Sequence, residues 1–117
     1  MTLSLKPASE FPISQLADLM TRSFEGYFVP INITESALLT MLKRDSIDLT
    51  SSRVLIHNDE HAGIALIARR GWASRLAAMG ILSQARNQSL GTQTMQKLIE
   101  EAKERQDKEM ILEVIEQ

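Results

Sequence analysis

The chain has no cysteine, three prolines, five glycines and few aromatic side chains, which make up 4% of its 117 residues. The first absence excludes disulfides, a thiolate nucleophile and zinc–thiolate sites. Proline and glycine do not cluster into a low-complexity tract or a domain linker, and no internal repeat is present. No apolar run reaches the ~20 residues of a membrane-spanning helix. Neither sign of charge dominates: 13 basic residues face 15 acidic ones, for a formal net charge of −2, which argues against a nucleic-acid or anionic-membrane surface. The opening Met1-Thr2-Leu3-Ser4-Leu5-Lys6-Pro7 lacks the basic start and long apolar core of a signal peptide. A single cytoplasmic domain is the expectation, spanning residues 1–117 and able to bury about two-thirds of its unfolded surface.

What is present is apolar periodicity of two kinds. Leu3-Ser4-Leu5 alternates and stops at Lys6-Pro7, as a short strand does. Ile13, Leu16, Ala17, Met20 and Phe24 recur at helical spacing, and Thr34 is suited to cap a second helix with Ala37, Leu38, Met41 and Leu42 on one face. Val54-Leu55-Ile56, the turn Asn58-Asp59-Glu60 and the run Ala62–Ala68 predict an antiparallel hairpin. Gly71-Trp72 marks a further reversal before the strand run Leu76–Leu82. Ser89 to about Gln106 reads as a helix with Met95, Leu98, Ile99 and Ala102 inward and Lys97, Glu100, Glu101, Lys103 and Glu104 facing water. Met110–Ile115 closes the pattern as a buried strand. A strand, helix and strand joined this tightly need a crossover, so the last two strands should be parallel. The expected fold is a mixed α/β sheet of order β-α-α-β-β-β-α-β.

One junction stands out. Arg86-Asn87-Gln88-Ser89-Leu90-Gly91-Thr92 separates the Leu76–Leu82 strand from the amphipathic helix. A helix start there leaves backbone N–H groups free and adds the positive end of the macrodipole, so the turn can receive a phosphate. Arg86 reads either as a clamp on phosphate oxygens or as a solvated loop arginine. Ser89 is a residue type favoured at N-caps. In open sheets of this kind, ligands sit beyond the carboxyl ends of the strands, which is where this turn falls.

The spacing Arg86-x-x-Ser89-x-Gly91 resembles the acyl-CoA signature of the GNAT superfamily of N-acetyltransferases, with Ser89 where the family has its first glycine. The order of elements over the whole chain is similar to that family as well. The resemblance implies acetyl-CoA as cosubstrate, an amine of unknown identity as acceptor, and no metal. It assigns backbone contacts with the pantetheine arm to Met79, Gly80 and Ile81, and contacts with the pyrophosphate to Arg86, Asn87, Gln88, Ser89, Leu90, Gly91 and Thr92. Members of the family continue past the last strand seen here with a further helix and strands, so the chain reads as C-terminally short. Two functions follow: an N-acetyltransferase or its cofactor-binding portion, and a catalytically silent domain working through self-association. An uncovered last strand would favour a homodimer or larger oligomer.

Residues for the chemistry itself are less marked. Glu25 and Glu113 are weak candidates for the base, each set against an ordinary structural acid, with Glu116 close to the second. Tyr27, the only tyrosine, reads as a pocket wall. His57 and His61 flank a hairpin turn and read as surface histidines, while Arg69-Arg70 reads as solvated. Trp72 caps the core or lines an acceptor pocket, the first being preferred.

Overall fold

The computed structural model describes residues 3–23, 33–86, 88–107 and 109–112. Glu25, Tyr27, Asn87, Glu113 and Glu116 lie outside them. Five strands, β1 (Leu3–Pro7), β2 (Arg53–His57), β3 (Glu60–Arg70), β4 (Ala73–Ile81) and β5 (Glu109–Leu112), form one sheet in sequence order. Helices α1 (Ile13–Ser23) and α2 (Glu35–Arg44) cover one face, and α3 (Leu90–Glu104) covers the other. The pairs from β1 to β4 are antiparallel; β5 lies parallel to β4, with Ala73 opposite Glu109 and Leu76 opposite Leu112. None of the helices among the described residues is long and apolar enough to cross a membrane.

Coverage on both faces explains the unbroken apolar run of β3, where every residue from Ala62 to Ala68 is buried. Val54, Ile64 and Leu66 pack under α1 and α2 with Leu16, Leu19, Met20 and Leu38. Leu55, Ala65 and Ile67 point the other way, against Leu90 and Leu98 of α3. At the start of α2 the Thr34 hydroxyl accepts from the Ala37 N–H at 3.0 Å, the cap its position in the sequence called for.

The register of β4 slips between Ala78, opposite Leu66, and Leu76, opposite Ile67, leaving Ala77 as an extra residue. The bulge reverses the alternation, so that Leu76, Met79 and Ile81 all serve the α3 side. Among the described residues, β4 beyond Leu76 has β3 as its only strand neighbour.

Several sequence expectations are corrected by the packing. Ile99 is 37% exposed, and the buried stripe of α3 is Leu90, Thr94, Leu98 and Ala102, a spacing of four that stays in line over the helix. Glu101 does not simply face water: it accepts from Arg53 Nε at 3.0 and 3.2 Å and ties α3 to β2. Arg69 is not solvated but paired with Asp107 at 3.0 Å. Trp72, 62% exposed in the β3–β4 turn, caps nothing.

Candidate anion-binding turn

The candidate site begins where β4 runs out. Leu82 is buried and its N–H donates to the Ala62 carbonyl at 2.8 Å, holding the chain against the end of β3. A single 3-10 turn, Ser83–Ala85, then redirects the backbone across the sheet edge. Arg86 closes this corner: its Nε donates to the Ile81 carbonyl and its Nη2 to the Ser23 carbonyl, both at 3.0 Å. The guanidinium thus joins the end of α1 to the end of β4, a role that its place in the sequence did not reveal. The same contact requires a glycine on the strand, because a Cβ on Gly80 would stand 2.5 Å from the Ser23 Cβ.

Ser89 precedes α3 with φ 59° and ψ 21° and makes no side-chain cap hydrogen bond. The expectation of a serine cap is corrected: a left-handed residue turns its hydroxyl away from the first-turn N–H groups that a cap would serve. The left-handed region costs a non-glycine residue roughly 1–2 kcal/mol, partly offset by the entropy a glycine would lose on folding. Ser89→Gly is therefore expected to leave stability unchanged or raise it by up to about 1 kcal/mol, as measured by urea denaturation. A fall of that size would mean that the hydroxyl has a structural partner.

The helix proper starts at Leu90, and the first helical bond to the turn is Gln93 N–H to the Ser89 carbonyl at 3.1 Å. Leu90 buries its side chain in the core and contributes only backbone to the turn. Gly91 has open space over its Cα; a Cβ there would meet nothing nearer than the Met79 Cε at 3.9 Å. Gln88, Ser89 and Thr92 are exposed. Ile81, Ala85, Arg86, Ser89, Leu90, Gly91 and Thr92 together line a hollow of about 220 Å³. The first-turn N–H groups of a helix point along its axis away from the body, and here that direction carries the positive end of a helix fifteen residues long.

Most of the signature residues are thus brought to one place. The Met79 methyl lies beside Gly91, and Gly80 lets α1 approach the strand. Ala85, a small residue without polar atoms on its side chain, carried no sequence signal. Among the described residues, no three His, Asp or Glu side chains gather as a metal site would need. His61 instead meets Phe11 edge to face, with ring centroids 5.8 Å apart.

Comparison with known proteins gives this geometry a setting. The profile of the acetyltransferase (GNAT) family matches residues 13–117. Among solved structures, a GNAT family acetyltransferase from Staphylococcus aureus is similar with TM-score 0.64 at 18% identity, over 98% of this chain and 87% of that one. A ribosomal-protein-alanine N-acetyltransferase from Brucella melitensis is similar with TM-score 0.67 at 11% identity, over 97% and 79% of the two chains. An N-acetylglutamate synthase from Neisseria gonorrhoeae, solved with coenzyme A and N-acetyl-glutamate, is similar with TM-score 0.61 at 17% identity, over 89% of this chain and 23% of that one. No curated protein matches the chain. With the family profile covering all but its first strand and the turn that follows, this chain belongs to the GNAT acetyltransferase family.

Proposed function

We propose that the protein is an acetyl-CoA-dependent N-acetyltransferase that binds the donor's pyrophosphate at the Ser89–Thr92 turn. The observation that carries this reading is the hollow at the start of α3, open over Gly91 among the described residues. A phosphate placed there meets the free N–H groups and dipole of the helix. The coenzyme A held by the similar Neisseria protein is consistent with a donor of this class.

In the reaction, the acceptor's nitrogen attacks the thioester carbonyl. The new N–C bond forms, the C–S bond breaks, the amine loses its proton to a base and the departing sulfur takes one up. Holding amine and thioester in register supplies much of the acceleration in such a direct transfer. The family match favours an enzyme over a silent self-associating domain. A cysteine-free chain suits the cytoplasm.

The absence of cysteine also makes the test clean, since any thiol appearing in the assay belongs to released coenzyme A. Acetyl-CoA at a hundredfold excess over Kd is expected to add about 2.7 kcal/mol of stability, visible as a rise in Tm. Thiol release should then depend on an added amine. No Tm change at millimolar acetyl-CoA would overturn the reading.

A further inference from the structure

The opposite end of the sheet holds a second, larger hollow, of about 270 Å³. It is built by two cross-strand pairs in register, Ala68 opposite Arg75 and Arg70 opposite Ala73. Small and long side chains alternate across the β3–β4 hairpin on one face, so the two alanines form a floor between two guanidinium-bearing walls. Asp45, at the end of α2, completes the rim. The connection after α2 is fastened beside it by backbone bonds, Asp48 N–H to the Ile67 carbonyl at 2.8 Å and Arg69 N–H to the Ser46 carbonyl at 3.1 Å.

The charges in this hollow do not balance locally. Both oxygens of Asp45 are engaged by Arg44, Nε to Oδ1 at 3.2 Å and Nη2 to Oδ2 at 3.1 Å. Arg44 holds that carboxyl below the usual range, with Arg75 and Arg70 adding to the effect from farther away. Arg70 donates its Nε to the Ser46 hydroxyl at 3.2 Å and makes no other hydrogen bond or ion pair among the described residues. Arg75 makes none at all among the described residues, although it is half-buried. A partly desolvated guanidinium without a partner is unfavourable, and planar forks of this type match the oxygens of a carboxylate or phosphate.

We propose that this hollow is a binding site for an oxyanion, carried by a small carboxylate or phosphate ligand and held between Arg70 and Arg75. Measured along β4 from Ile81, Arg75 lies six residue steps away and Ala73 eight, roughly 20–26 Å. This hollow shares no lining residue with the one at the start of α3 and is a second site. A ligand here bridges the β3–β4 hairpin to the segment after α2. Binding needs no acyl-CoA, so the proposal stands or falls apart from the transferase reading.

The test is an NMR titration of the ¹⁵N-labelled full chain with succinate and, separately, with inorganic phosphate, at constant ionic strength. Saturable shifts are expected in the amides of residues 70–75 and in the Nε–Hε signals of Arg70 and Arg75. Arg75→Gln should weaken binding at least tenfold, and Arg75→Lys, which keeps the charge but not the fork, less so. Arg75 has no protein partner to lose among the described residues, so both variants should fold. Tighter binding of succinate marks a carboxylate ligand, and tighter binding of phosphate a phosphorylated one; either supports the site. The proposal is overturned by the absence of saturable shifts at tens of millimolar of both anions. It is equally overturned by an unchanged Kd in Arg75→Gln, or by shifts confined to residues 86–92.

Discussion

Replacing Gly91 by glutamate is expected to lower acetyl-CoA affinity at least a hundredfold while leaving the fold intact. The two effects separate because of where the residue sits. A Cβ at Gly91 meets only the tip of the Met79 side chain, at 3.9 Å, so the new side chain fits without moving backbone. Its carboxylate lies in the first turn of α3, where the macrodipole favours negative charge by about 0.3–1 kcal/mol, so the helix is not weakened. That charge also stands in the hollow where the pyrophosphate would bind. A hundredfold loss corresponds to about 2.7 kcal/mol, a modest demand for like charges brought within a few ångströms at a partly desolvated site. Calorimetry with acetyl-CoA on Gly91→Glu and Gly91→Ala reads the difference: the alanine variant should bind within a few-fold of the parent. If Gly91→Glu bound equally well, the pyrophosphate could not lie at this turn.

The second large effect concerns stability. Asp107→Ala is expected to cost about 3 kcal/mol, the low end for breaking a buried ion pair because both partner arginines keep some contact with water. For a chain of this size that amounts to a fall in Tm of about 12 °C. The Asp107 side chain is fully buried; Oδ1 accepts from Arg69 at 3.0 Å, and Oδ2 accepts from Arg105 Nε at 3.2 Å and Nη2 at 3.0 Å. It therefore ties the end of β3 to the link between α3 and β5. Burial pushes its carboxyl up, but the Ser74 hydroxyl, the hydrogen bonds from Arg105 and the charges of Arg105 and Arg69 outweigh this and hold it below the ordinary value of 3.8. A lowered folded value means that the unfolded chain takes up the proton first. The contribution is then fully present above the unfolded value and is lost as pH falls through the folded one. Denaturation curves of parent and variant should differ most near neutrality and converge in acid below the ordinary aspartate range. A gap that persisted unchanged in acid well below that range would mean the carboxylate charge is not what stabilises the parent.

How much of this was legible beforehand depends on the range of the interaction. Helix and strand periods are local, and Thr34, the Asn58–Glu60 turn and the run through β3 each declared their element. The anion-binding turn was equally visible, because strand, small polar turn and amphipathic helix follow one another directly in the chain. Its occupants were not. Ser89 looked like a cap, yet the backbone enters α3 in the left-handed region, and only the path imposed by the Ser83–Ala85 corner decides that. Arg86 read either as a phosphate clamp or as a solvated loop arginine, and its side chain reaches the Ser23 carbonyl, sixty-three residues away in sequence. Trp72, beside a strand reversal, read as a cap on the core in preference to an acceptor-pocket wall, and the hairpin turn carries it into solvent.

By itself, the sequence determined the family, the order of elements and the place of the turn, since all three rest on patterns repeated over a few neighbouring residues. The tertiary structure decided three further things. The bulge at Ala77 turns the far half of β4 over, so that Met79 and Ile81 face α3. Gly80 admits the end of α1 against that same strand. The hairpin register sets Arg70 and Arg75 around one hollow. Each depends on which strand lies beside which and in what register. That is fixed by packing both faces of the sheet at once, and no local window of the sequence contains it.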